Sequence, residues 1–349
     1  EVESVQILKD AAAGSLYGYK GANGVINIIT KRGKYNTKEI KFTFDHLINW
    51  EVRRPEFANA YTYASAINEA YANDGIRKPR YHEYEMNAFK TGAYPQYYPN
   101  VNWVDEVFKD AAATNIANMS LRGGGSKFRY FAMFNWVTDN GFIANAKAND
   151  GYSTQNKSSK ANLRTNLDID LTPSTKMTLN LLGTLAETNK PGDSADLWSM
   201  IYSLPATAFP VKTENGLWGG NTTWDGTKNP VAQSQAAAYT KGHNRSLYAD
   251  MTLKQDLSSI LPGLGAGFML AYDNWASYVE NHSKTYRYGS DNVQWKSGKP
   301  VFVSQYTAGT ESEMNTGSEL SAWKRNFNMA LAVDYKFENE IHSVYTQLK

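Results

Sequence analysis

The chain contains no cysteine. That excludes a disulfide scaffold and every thiolate metal or redox site, and it is compatible with an extracytoplasmic protein of bacterial type. No stretch approaches the ~18 consecutive apolar residues of a membrane-crossing helix, and mean hydropathy is low, at −0.54. An excess of charge is also missing. The 36 Lys and Arg against 34 Asp and Glu leave a net charge of +2, too balanced for a chain built to hold nucleic acid. Histidine is sparse: His46, His82, His243, His282 and His342 are scattered, and His82-Glu83 lacks the second histidine of H-E-x-x-H. No G-x-S-x-G elbow occurs, and no pair among the loop carboxylates stands out as a glycosidase pair. The chain therefore reads as a non-enzyme, with no catalytic, cofactor-binding or metal site expected.

What is abundant is aromatic: 23 Tyr, 14 Phe and 9 Trp, beside 26 Gly in 349 residues. Length alone suggests about two domains. The stretch "LYGYKGANGVINIITKRGK" (16–34) places Gly18, Gly21 and Gly24 at three-residue spacing before a β-branched run. A dinucleotide fingerprint needs G-x-G-x-x-G followed by a helix, and a P-loop needs Gly-Lys-Ser/Thr. Neither is present, since Lys20 precedes Gly21 and a strand follows. The glycines are expected to serve tight turns, with Gly21 or Gly24 at positive φ. Lys31, Arg32 and Lys34 read as a solvated junction.

Period-2 alternation is the strongest signal. Leu163, Leu167, Ile169 and Leu171 share one face and Asn162, Arg164, Asn166, Asp168 and Asp170 the other. The same pattern recurs with Ile40, Phe42 and Phe44, with Phe128, Tyr130, Phe134 and Trp136, with Met177, Leu179, Leu181 and Leu185, and from Phe327 to Phe337. Such faces belong to half-buried strands. We expect strands near 38–48, 114–123, 127–139, 160–171, 175–187, 244–256, 265–276, 323–337 and from 341 onward. Most reach the ~9–11 residues that cross a bilayer at a tilt. The connections alternate: long at 49–113, 188–243 and 277–322, medium at 140–159, tight at 124–126, 172–174 and 338–340, modest after 256. Long loops at one end and short turns at the other are the pattern of an outer-membrane barrel. Charges such as Asp168 then face the lumen, where Asp168→Asn is expected to matter little. Trp50, Trp136 and Trp275 suit an interfacial girdle. Within the loops, 55–75 reads as a helix between Pro55 and Gly75. Tyr94, Tyr97, Tyr98, Trp218 and Trp224, set amid Gly, Pro and Asn, are candidate contacts for a substrate or partner.

"VESVQILKDAAAGSLYGYKGANGVINIITKRGK" resembles the end of the plug domain of SusC/RagA-type TonB-dependent outer-membrane transporters of Bacteroidota. The matching elements are "LKD" leading to a small-residue helix, then "LYG", "GANGVINI" and "TKRGK". "NVNWVDEVFKDAAATNIANMSLRGGGSKFRYFAMFNWVTDNGFI" is similar to the family's early barrel region, and "FPVKTENGLWGGNTTWDGTKNPVA" to one of its large surface loops. Tyr19 and Lys20 stand where Ser-Arg is common, and Asn102 where Asp is usual.

The resemblance implies an all-β membrane protein: about nine strands of a larger antiparallel transmembrane β-barrel, with short helices in long extracellular loops. Residues 1–35 would be the last segment of a plug domain and 36–349 the N-terminal part of the barrel. Opening at Glu1 and ending at Lys349 within a strand, the chain is expected to be a piece of a longer protein. The resemblance further implies active import of a glycan or oligopeptide nutrient across the bacterial outer membrane. The implied partners are a TonB energy-transducing complex, reached through an N-terminal region outside this chain, a SusD-like surface lipoprotein, and outer-membrane lipid. The rival reading is a surface receptor or adhesin barrel without transport.

Overall fold

The computed structural model describes residues 2–9, 21, 23–192, 196–338 and 343–348. Strands β1 (Val2–Leu8) and β2 (Val25–Thr30) pair as a two-stranded antiparallel sheet of their own. Five long strands follow: β3 (Lys38–Trp50), β4 (Ala111–Gly124), β5 (Phe128–Asn140), β6 (Lys157–Asp170) and β7 (Thr175–Pro191). The two-residue β8 (Trp218–Gly219) precedes β9 (Tyr239–Asp256) and β10 (Leu264–Ser283). A hairpin of β11 (Tyr288–Lys296) and β12 (Lys299–Ala308) leads to β13 (Asn315–Glu338) and β14 (Ser343–Leu348).

Nine of these strands make one antiparallel sheet in the order β14-β13-β10-β9-β7-β6-β5-β4-β3. They are the nine expected from alternation, and every sheet neighbour is the next long strand along the chain. Each strand reverses the last, so all the long connections (51–110, 141–156, 192–238 and 284–314) leave from one end of the sheet. The short ones (125–127, 171–174 and 257–263) turn at the other. The tight turn expected at 338–340 falls largely outside the described residues. Among the described residues β3 and β14 each have one neighbour, so the sheet is open.

The register assigns the faces. Phe44, Ala117, Trp136, Ala161, Leu185, Arg245, Ala276 and Trp323 lie side by side across eight strands. The row beside it runs Thr43, Asn118, Asn135, Asn162, Thr184, Ser246, Trp275 and Lys324, pointing the other way. The polar row is stitched by side chains: Asn118 donates to Thr43 (3.3 Å), Asn135 to Asn118 (2.7 Å), Asn162 to Asn135 (2.9 Å) and Thr184 to Asn162 (3.0 Å). Meanwhile the apolar face stands in the open, with Phe42 66% and Leu331 67% exposed. A sheet of a water-soluble protein buries its apolar face. This one is inverted. Trp50 and Trp136 are on the apolar face, as expected of girdle residues, but Trp275 lies on the polar face between Ser246 and Lys324. The indole at that level of the apolar face is Trp323.

The apolar face has an edge. Along β7 it runs Met177, Leu179, Leu181, Gly183 and Leu185, then gives way to Glu187 and Asn189. On β9 it changes at His243 and on β10 at Glu280 and His282. All three changes occur toward the end bearing the long connections.

Those connections carry the helices: α1 (Ala60–Asn73), α2 (Glu83–Thr91), α3 (Trp103–Val107), α4 (Leu197–Ser203) and α5 (Pro230–Gln235). α1 is the helix expected at 55–75, shortened because the Asn59 side chain caps it by accepting from the Thr62 amide at 2.8 Å. Trp103, Val104, Ile143, Ile201, Phe209 and Val231, drawn from three separate connections, share one buried core. A second core joins Ala60, Ala64, Phe89 and Tyr98 to Ala206, with Trp295 of the β11–β12 hairpin packed on it. The expected loop at 277–322 is therefore largely strand: β10 and β13 run on into it, and the hairpin fills the rest.

Candidate functional site

Residues 30–35 dock on the polar face of β4, β5 and β6, at the short-turn end. The Asn166 amide donates to the Lys31 carbonyl (2.9 Å), and Arg122 donates to the Arg32 carbonyl (2.7 Å). Arg32 reaches Asp168 at 3.1 Å, and the other oxygen of Asp168 takes Arg129 at 2.9 Å. Thr178 donates a third bond to that carboxylate at 2.9 Å. The Tyr35 hydroxyl donates to Asp170 at 2.9 Å, and this bond raises the Tyr35 pKa above its ordinary value. Arg32 is thus not the merely solvated residue expected: it ties the segment to the sheet. Asp168, expected to be dispensable, is the hub of the contact. Gly33 is there because nothing else fits, since a β-carbon on it would lie 2.2 Å from the Tyr130 amide nitrogen. The spacing of the glycines gave no hint of this, because the contact partner is more than ninety residues away.

Gly24 has φ +90°, as expected of one of the pair Gly21 and Gly24, and its amide donates to the Gly21 carbonyl at 3.0 Å to close the turn into β2. Gly18 lies outside the described residues, as does Lys20.

The five aromatic candidates fall into two places. Tyr94, Tyr97 and Tyr98 follow α2, where Tyr94 takes φ 56° and its carbonyl accepts from the amides of both other tyrosines at 2.9 Å. Tyr98 is a core residue at 7% exposure, and burial pushes its hydroxyl up to about 12. Trp295, which the sequence did not single out, faces Tyr94 and Tyr98 at centroid distances of 6.2 and 6.3 Å and stacks on Tyr84 at 4.8 Å. Trp218 and Trp224 pack instead on the core around Trp103 and Phe209. Lys212 sits 4.2 Å above the Trp218 ring. The two sets do not converge on one surface.

A recess of about 1340 Å³ opens just beyond the edge of the apolar face, under residues 143–155. Its lining mixes Lys109, Lys147, Lys157 and Lys241 with Glu187 and with the amides Asn189 and Gln155. At its margin His243 lies between Glu187 (3.2 Å) and Glu280 (3.4 Å), and His282 is 3.6 Å from Glu280. Among the described residues no group of three His, Asp or Glu is arranged to hold a metal ion. The recess offers charges of both signs and amide hydrogen-bonding groups, which is binding chemistry.

No family model matches the chain. It is 23% identical over 241 residues to TonB-dependent receptor P3 of Formosa agariphila, covering 66% of this chain and 21% of that protein. TonB-dependent receptor P26 of the same organism is 26% identical over 239 residues, again at 66% and 21%. TonB-dependent receptor SusC of Bacteroides thetaiotaomicron is 25% identical over 145 residues, 41% of this chain and 13% of SusC. The aligned part thus spans about a fifth of the length of the first two relatives. Among solved structures, the RagAB peptide importer in its open-open state aligns with 96% of this chain and 43% of its own, at 16% identity and a TM-score of 0.49. That score is below the level at which a shared fold is inferred. The likeness to the curated receptors agrees with the plug and barrel motifs: the chain is similar to TonB-dependent receptors of the SusC type over a part of their length.

Proposed function

We propose that the chain forms part of an outer-membrane importer driven by TonB, with residues 1–35 ending its plug and 36–349 beginning its barrel. The inverted sheet carries this reading. The apolar run from Met177 to Leu185 extends about 26 Å along the strand at ~3.3 Å per residue, about 20 Å of height at the usual ~40° tilt, most of the ~25 Å lipid-facing band of outer-membrane barrels. Polar side chains on the opposite face would line the lumen, and the docking of residues 30–35 there supports a plug that enters the barrel from the short-turn end. The long connections then face the cell surface. The family likeness supports a SusD-like lipoprotein lid over them and a glycan or oligopeptide cargo.

Epitope tags within 76–80 or 284–287 of the full-length protein are expected to be labelled on intact cells, and a tag at Ser126 only after permeabilisation. The reverse pattern would overturn the assignment. Loss of cargo uptake on deletion of the gene separates an importer from a passive receptor or adhesin.

Of the aromatic candidates, Tyr94 is the one we assign to cargo or lid, because it is exposed while Tyr98 is committed to the core and Tyr97 packs against it. Tyr94→Ala should raise the cargo concentration for half-maximal uptake and leave the melting temperature unchanged. Tyr98→Ala should destabilise by about 3–5 kcal/mol, the range for large aromatic deletions from a core. Thermal unfolding and uptake of both variants check this, and a stability loss at Tyr94 with none at Tyr98 would reverse the assignment.

A further inference from the structure

The apolar face carries one basic interruption. Arg245 on β9 and Arg325 on β13 both project from it, one row apart, with β10 between them. Neither makes an ion pair among the described residues, and both are exposed. Strands two places apart are separated by roughly 10 Å, a gap that two arginine side chains close from either side of one phosphate. Arg325 has a neighbour that holds it. Its guanidinium lies 5.2 Å from the Trp323 ring, and the Trp323 indole donates to Asn274 at 3.3 Å, which fixes the ring. An arginine held near a ring face, with no carboxylate partner among the described residues, keeps N–H groups for an anion.

Beside the two arginines runs a groove of about 540 Å³, lined by Phe134, Leu163, Leu185 and Leu247 and floored by Gly183. A β-carbon on Gly183 would touch nothing among the described residues within 4 Å, so the groove exists because that side chain is missing. The patch lies at the long-connection margin of the apolar face, the depth at which a headgroup meets acyl chains if that face is in a bilayer.

We propose that this patch is a binding site for a net-anionic, phosphate-bearing acyl lipid, its phosphate between Arg245 and Arg325 and an acyl chain in the groove over Gly183. The inference rests on the membrane reading above. Unpaired positive charge in an otherwise apolar surface supplies the complementarity, and the groove supplies the shape.

The test uses full-length protein in mixed micelles of phosphatidylglycerol and phosphatidylcholine, with retained lipids counted by native mass spectrometry. The wild type should keep phosphatidylglycerol in preference. Replacing both arginines (R245Q with R325Q) should lower that preference roughly 30-fold, at the value of one anionic-surface contact per arginine. Gly183→Leu, which leaves both charges in place, should reduce retention of both lipids. An undiminished preference in the double variant overturns the proposal. So does full displacement of the lipid by millimolar inorganic phosphate, which would mark a free-anion site, or a change in dimer mass with no change in lipid count, which would mark a contact with a second copy. Heat-modifiable gel migration verifies that each variant is folded. A single cysteine at Leu179, in a cysteine-free full-length background, separates the two readings. Protection from a water-soluble maleimide keeps the membrane assignment whatever the lipid count, and free labelling there removes both.

Discussion

On the importer reading, Gly33→Val in the full-length protein is expected to abolish energised uptake while the barrel still assembles. A β-carbon at Gly33 would fall 2.2 Å from the Tyr130 amide nitrogen, 2.6 Å from its carbonyl oxygen and 2.7 Å from the Arg129 carbonyl carbon. These are backbone atoms of β5, which is hydrogen-bonded along its length to β4 and β6 and cannot yield. The segment must lift instead. Lifting it breaks the bonds from Asn166 and Arg122, the Arg32–Asp168 pair and the Tyr35–Asp170 bond together. A plug whose end is not anchored either stays jammed or lets solutes pass. Gly24→Val should act in the same direction but less strongly. Its positive φ would strain any other residue by ~1–3 kcal/mol, and among the described residues its added carbon meets the Leu8 carbonyl alone, at 3.2 Å. Cargo uptake and sensitivity to a large antibiotic measure both variants. Normal uptake with normal resistance in Gly33→Val would mean that the docking is not part of the transport machinery.

The second large effect separates the two faces of β6. Leu167→Arg places a charge in the apolar face and should destabilise by ~2–4 kcal/mol if it lies near the bilayer midplane. Alternation alone predicts that its neighbour Asp168, on the polar face, tolerates neutralisation. The contacts say otherwise. The Asp168 carboxylate is only 15% exposed and serves Arg32, Arg129 and Thr178 at once. Asp168→Asn turns one of the two acceptor oxygens into an amide donor facing a guanidinium and should lose about 1–3 kcal/mol, the range for an unsatisfied partly buried polar group. It should also weaken plug anchoring, whereas Leu167→Arg affects assembly alone. Denaturant unfolding of the complete barrel in vesicles, with Leu167→Ile as reference, decides it. Indistinguishable stability of Leu167→Arg and the reference would remove the lipid-facing assignment.

The nine-stranded sheet was legible because Leu163, Leu167 and Ile169 against Asn162, Asn166 and Asp168 is a contrast no helix produces. Strand ends were harder to place. β10 continues to Ser283 and β13 starts at Asn315, but beyond the apolar edge both faces are polar, so alternation loses its amplitude. The β11–β12 hairpin was missed although Ser297-Gly298, at φ 49° and 78°, is a two-residue turn flanked by paired lysines. Its surroundings looked like loop. The anchoring role of Arg32 and Asp168 was beyond reach, because 136 residues separate them and one sequence carries no record of which residues meet. Among the aromatics, composition could find Tyr98 and Trp218 but could not tell a packed ring from a presented one.

The shared core of the connections bears on attempts to exchange specificity between relatives. Ile143 and Ala146 come from one excursion, Trp103 and Val104 from another, and Ile201, Phe209 and Val231 from a third, yet all close on each other. A graft of residues 141–156 alone would leave holes beside α3 and α5 and would be scored as a failed chimera for reasons unrelated to recognition. Trp295 of the β11–β12 hairpin closes the second core and β8 pairs with β11, so a swap has to carry 51–110, 141–156, 192–238 and 284–314 together.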